Sequence, residues 1–168
     1  MRKPLSSFVR CLSCLALLIV ASCESIDCTL NNIVTCNVGF YASADGTSVA
    51  FNDTLTITAM GTDSVLLNRA VGVSKISLPM SYYGEADTLN YRFYNEETGL
   101  DLQLTMRIEK SNTPHFESPD CPTTMFHQLH SVSYTTNNTV FVDSVILSNP
   151  EVNYGATEHI KIYFHTAD

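Results

Sequence analysis

The chain is 168 residues long, carries 9 Lys and Arg against 17 Asp and Glu for a net charge of −8, and has no Trp and only seven Gly. So acidic a balance repels nucleic acid and anionic membrane surfaces, which excludes nucleic-acid binding. Seven glycines leave little material for a phosphate-cradling loop, and the absence of Trp weighs against a sugar-stacking platform.

The first element is a basic start, Met1-Arg2-Lys3, followed by Arg10 and an apolar run from Cys11 to Val20 that ends in the small pair Ala21-Ser22. That is the plan of a secretory signal helix. The run is too short to remain as an anchor, because crossing ~30 Å of hydrocarbon takes ~20 apolar residues. Its junction, Val20-Ala21-Ser22-Cys23, resembles the bacterial lipobox. The resemblance implies cleavage between Ser22 and Cys23, a diacylglycerol on the Cys23 thiol and an acyl chain such as palmitate on its freed amine. Each buried methylene then contributes ~0.8 kcal/mol, and two or three chains anchor stably. The alternative is ordinary signal cleavage and release of a soluble protein. The expected organisation is a removed signal over 1–22, a polar tether over 23–32 and one domain over 33–168.

Loss of residues 1–22 takes Arg2, Lys3 and Arg10, so the mature 146 residues keep six basic and 17 acidic side chains, a balance of −11. The acidity is scattered and reads as solvated surface. Cys23, Cys28, Cys36 and Cys121 remain, in a compartment that permits disulfides. With Cys23 lipidated the other three cannot all pair. Cys28–Cys121 is the favoured bridge and Cys36–Cys121 the alternative; Cys36, in phase with Val34 and Val38, is adequately explained as a buried free thiol. Closing the long loop would contribute at most about 4–5 kcal/mol in the chain-entropy model.

Along the mature chain the period is two. Val34, Cys36, Val38 and Phe40 open the series, followed by Leu55 and Ile57, then Ile76 and Leu78 before Pro79. Leu89, Tyr91 and Phe93 alternate with polar residues, and Asn95 to Gly99 forms a turn. Leu100, Leu102, Leu104, Met106 and Ile108 then alternate with Asp101, Gln103, Thr105, Arg107 and Glu109, so these two strands predict a hairpin. Val140–Leu147 is strand-like with a bulge or break at Asp143-Ser144, and Ile160, Ile162 and Phe164 close the chain. No helical stripe follows the signal. Seven to nine short strands predict an all-β fold, a two-sheet antiparallel β-sandwich of immunoglobulin-like shape.

Little in this frame carries chemistry. His127 and His130, three apart on a strand, point to opposite faces and make a poor metal pair; the histidines are expected at surfaces or edges. Gly72-Val73-Ser74-Lys75-Ile76 lacks the second Gly of a nucleophile elbow and leads into a strand instead of a helix. Tyr82-Tyr83-Gly84 is the best aromatic pair in a loop for a stacking platform, and is equally explained as a strand-end cover. No catalytic residue, metal ligand or cofactor is predicted. Four triplets, Asp53-Thr54-Leu55, Asp63-Ser64-Val65, Asp87-Thr88-Leu89 and Asp143-Ser144-Val145, look like the O-glycosylation signal of exported Bacteroidetes proteins, with Thr54, Ser64, Thr88 and Ser144 as acceptors. Turn and strand-start chemistry generates the same triplet without a glycan.

Several motifs together resemble a family of Bacteroidetes lipoproteins, a domain of unknown function. They are the lipobox Cys followed by Asp27-Cys28, the early Val- and Phe-rich strand, Ile76-Ser77-Leu78-Pro79, and a single late Cys121 before an aromatic strand. The ending, Asp143-Ser144-Val145, Asn149-Pro150-Glu151-Val152 and Ile160-Lys161-Ile162-Tyr163-Phe164, belongs to the same pattern. The resemblance implies an outer-membrane-tethered β-domain with no catalytic residues to carry over. The leading expectation is a non-enzymatic lipoprotein that contacts an outer-membrane barrel protein from the periplasmic face. The rivals are a surface-exposed module for glycan or a host ligand and, more distantly, a hydrolase.

Overall fold

The structure is a computed structural model in which residues 34–119, 121–138 and 140–165 are described. The described residues form ten strands: β1 (Cys36–Ala42), β2 (Thr54–Ala59), β3 (Ser64–Ala70), β4 (Lys75–Leu78), β5 (Ala86–Asn95), β6 (Leu100–His115), β7 (Thr124–Thr136), β8 (Val142–Leu147), β9 (Glu151–Val152) and β10 (Ile160–Phe164). They form a four-stranded sheet, β4-β1-β10-β8, packed on a six-stranded sheet, β3-β2-β5-β6-β7-β9. The expected sandwich is therefore present, with one departure: β1 and β10 pair in parallel, Val38 opposite Ile160 and Ala42 opposite Phe164. All the other pairings are antiparallel.

Alternation places the core. Leu89, Tyr91 and Phe93 of β5 and Leu102, Leu104, Met106 and Ile108 of β6 are buried, facing Val38, Phe40, Ile160, Ile162 and Phe164 of the other sheet. The β5–β6 hairpin forms where expected. Asn95 Oδ1 accepts from the backbone N–H of Glu97 and Thr98, and Gly99 takes φ 72°, which a side chain would resist. The irregularity expected at Asp143 is a bulge: Tyr163 pairs with Ser144 and Phe164 with Val142, leaving Asp143 unpaired. Two further irregularities crowd the β2–β3 pairing, so the β3 edge is kinked, which discourages further strand addition.

The two ends of the sandwich differ. At the distal end lie the β5–β6 turn, the close of β1 and the C-terminal strand, with Phe40, Phe51, Phe93, Phe141 and Phe164 packed edge to face. At the proximal end the described chain begins with Val34 and β1, and Cys36 lies opposite Leu78. Leu78 runs into the 79–85 loop, the β2–β3 turn meets the start of β5 through Met60 N–H to Thr88 O, and β6 and β7 extend as a ribbon.

Candidate functional site

The inward rows of the six-stranded sheet turn polar at the proximal end. Asp87 continues the row of Leu89, Tyr91 and Phe93, while Lys110 and Asn112 continue that of Leu102 to Ile108. His127 faces inward from β7 beside them. Lys110 is 1 % exposed, and its ammonium donates to Ser81 O at 2.7 Å, Gly84 O at 3.4 Å and Asn112 Oδ1 at 2.7 Å, with Asp87 Oδ2 at 3.7 Å. Asn112 Oδ1 also accepts from His127 Nδ1 at 2.7 Å, and its amide donates to Gly84 O. The Asp87 carboxylate takes the Ser81 backbone N–H and hydroxyl. A buried ammonium without such acceptors would cost several kcal/mol.

Burial sets the protonation here. It pushes the Lys110 ammonium below its ordinary value against the pull of Asp87. It holds His127 down at about 4, helped by the neighbouring Lys110 charge and opposed by Asp87. Burial first, then the Asp87 charge, raises the Cys36 thiol to about 12, so it is inert as a nucleophile. The Tyr91 hydroxyl is fully buried and has no hydrogen-bond partner among the described residues, and burial raises it well above its usual range.

His159 is a second buried imidazole. Its Nδ1 accepts from Asn37 N–H at 2.9 Å and its Nε2 donates to Glu151 O at 3.1 Å, joining β1, β9 and β10 in one neutral tautomer. Burial lowers its pKa, opposed by that carbonyl. The expectation of surface histidines is thus corrected for His127 and His159, which are 4 % and 0 % exposed. Each is buried as a neutral ring with hydrogen-bond partners, which removes most of the desolvation cost. His130, the unpaired residue of the β6–β7 bulge, points outward.

The polar cluster holds the 79–85 loop, and that loop displays tyrosines. Tyr83 is 86 % and Tyr82 51 % exposed, which goes against the strand-end cover, one of the two readings of this pair: the backbone of Ser81, Gly84 and Glu85 is bound inward while these rings project. On the ribbon, His115 stacks on Phe126 at 4.2 Å and Tyr154 packs edge-on to both, leaving Phe116 66 % exposed beside them. Met60 is exposed on the neighbouring turn. A cleft of about 400 Å³ separates that turn from the loop, lined by Met60, Ser64, Met80, Asp87, Thr88 and Leu89.

The triplet hydroxyls are dispersed. Ser64 and Thr88 line that cleft, Ser64 exposed and Thr88 half-buried. Thr54 donates to Tyr94 O and Ser144 to its neighbour Asp143. Cys36 is a free thiol. Cys121 is disulfide-bonded; Cys28, its favoured partner, lies outside the described residues, as do Ser22, Cys23 and the 23–32 tether. Among the described residues no helix is long and apolar enough to cross a membrane, and no three His, Cys, Asp or Glu side chains cluster to hold a metal ion.

The polar cluster was readable by phase: Asp87 and Lys110 each fall on the apolar parity of their strand, and a charge on that parity is the signal that a core ends in ions. His127 gave no such signal, because the bulge at His130 shifts the parity of β7.

A family model matches residues 54–164, more than half of the chain and everything from β2 to β10. The chain therefore belongs to that family, described as "Family of unknown function (DUF6452)". No curated protein and no solved structure matches it.

Proposed function

With membership of that family as premise, we propose that the chain is a lipid-anchored, non-catalytic module of a bacterial cell envelope, held at the outer membrane through Cys23 and acting by contact with an outer-membrane barrel protein. The Val20-Ala21-Ser22-Cys23 junction supports the anchor. One structural observation carries the rest: the titratable groups inside the proximal end are bound to one another and to backbone, so their polar atoms are engaged in holding a display loop.

Cysteine usage fits the same reading. Cys36 is free and buried, so lipid on Cys23 leaves Cys28 as the mature partner for Cys121. A tether from Cys23 to Val34 spans at most ~35–40 Å when fully extended, and a Cys28–Cys121 bridge would shorten the free part to a few residues. Such a domain stays beside the bilayer, within reach of the rim of a barrel.

Protease shaving of intact cells, comparing the wild-type chain with Cys23→Ala in membrane and soluble fractions, tests this. The expected results are release of the variant from membranes and protection of the wild type until the outer membrane is opened, followed by cross-links to a barrel protein. A variant as membrane-bound as the wild type would remove the lipid anchor. Digestion from outside would replace the periplasmic partner with an external glycan or host ligand.

A further inference from the structure

We infer that the proximal end of the sandwich is a membrane-interface surface, in which Tyr82, Tyr83 and Phe116 enter the headgroup layer of a neutral bilayer and set the domain on its end; this rests on the lipid-anchor reading of Cys23. The exposed aromatics are not scattered. Of the large apolar side chains that are exposed, the three rings and Met60 belong to the 79–85 loop, the ribbon tip and the β2–β3 turn, all at the end where Val34 joins β1. Among the described residues the corresponding distal loops expose Val71 and Val140 and no Phe or Tyr ring.

Tyrosine combines an apolar ring with a polar tip, which favours the zone between hydrocarbon and water. Tyr82 and Tyr83 sit on a loop whose backbone is hydrogen-bonded to a buried ammonium, so ordering them on a surface costs little further conformational freedom. The occupant follows from where the chain leaves the described residues. Residues 24–33 connect Cys23 to this end, and a short tether keeps the local concentration of the surface near the millimolar range, so weak interfacial contacts are sufficient. Asp63, Glu85 and Glu117 stand in the same loops, so an anionic surface is disfavoured and a zwitterionic one is selected.

The chain has no Trp, so a single introduced indole reports its own position. The full lipidated protein carrying Tyr83→Trp, Phe116→Trp or the distal Val140→Trp is reconstituted into phosphatidylethanolamine–phosphatidylcholine vesicles containing shallow brominated lipid. At Tyr83 and Phe116 the emission is expected to shift to the blue and to be quenched several-fold more than at Val140. Added phosphatidylglycerol should reduce that quenching.

Equal, water-like emission from all three probes, in a chain that still floats with the vesicles, overturns the interface surface while leaving the anchor standing. Cys23→Ala versions that float as well as the parent overturn the anchor, and with it the premise. Burial of the proximal probes in native outer membranes but not in protein-free vesicles assigns this end to a protein and also overturns the proposal.

Discussion

The two ends of this core are closed by different physics. Distally, Phe51 and Phe164 meet at 4.8 Å and Phe51 and Phe93 at 5.0 Å, edge to face, within a five-ring cluster that needs no polar partner. Proximally, the same inward rows end in Asp87, Lys110, Asn112 and His127, joined by directed hydrogen bonds. An aromatic plug is cohesive in itself but does little to fix an outer loop. A buried ammonium must find acceptors, and here it finds them in the carbonyls of the 79–85 loop, so the cost of burying the charge is linked to the geometry of what the loop displays.

The contrast breaks first at the distal end. Phe93→Ala should destabilise by about 3–5 kcal/mol, read as a lower denaturation midpoint, because a fully buried ring leaves a cavity its neighbours cannot fill. At the proximal end Lys110→Met should cost about 3 kcal/mol, since it removes the donor to Ser81 O, one of the donors to Asn112 Oδ1 and Gly84 O, and the cation that faces Asp87. Adding Asp87→Leu to it should recover part of that loss, a non-additivity measurable in a double-mutant cycle and foreign to the phenylalanine cluster.

Between pH 6.5 and 4 acid should act through the buried imidazoles of the polar end. His127 titrates at about 4 in the folded state, below its unfolded value near 6.5. Between those values the unfolded chain binds the extra proton, so stability is present above pH 6.5 and falls as pH drops through this window, by about 2–3 kcal/mol. His159, also lowered, adds to the same slope. His127→Gln should flatten the wild-type stability curve between pH 6.5 and 4 without abolishing its slope. Tyr91→Phe, between the two ends, removes an unbonded hydroxyl and should be neutral or stabilising by up to ~1 kcal/mol in thermal unfolding. Tyr83→Ser should change stability by no more than about 0.5 kcal/mol, which separates display from folding.

The sheets were legible in the sequence wherever parity held without a break. Leu100 to Ile108 gives its strand, its face and its hairpin partner from alternation alone. β3 was not legible, because two bulges shift its parity and Val65, Asn68 and Arg69 are exposed. The full course of β7 was hidden by the extra residue at His130. The phenylalanine cluster could be expected from inward positions on β1, β5 and β10. The display surface could not: whether Tyr82 and Tyr83 fold over a strand end or stand clear depends on carbonyls bound by Lys110 and Asn112, contacts that join residues 81–84 to 110–112.

The parallel pairing of β1 with β10 has a consequence for the order in which the protein can be made. These strands sit side by side in the middle of the four-stranded sheet, yet one is the first of the described strands and the other the last. Until Ile160–Phe164 has emerged, β1 lacks one neighbour and the core lacks Phe164, so emergence from the N-terminus cannot lock the sandwich in stages. Folding must await residues 160–164 and proceed through contacts distant in sequence, which is slow. That delay keeps the stretch from β1 to β9 threadable until its last partner strand arrives.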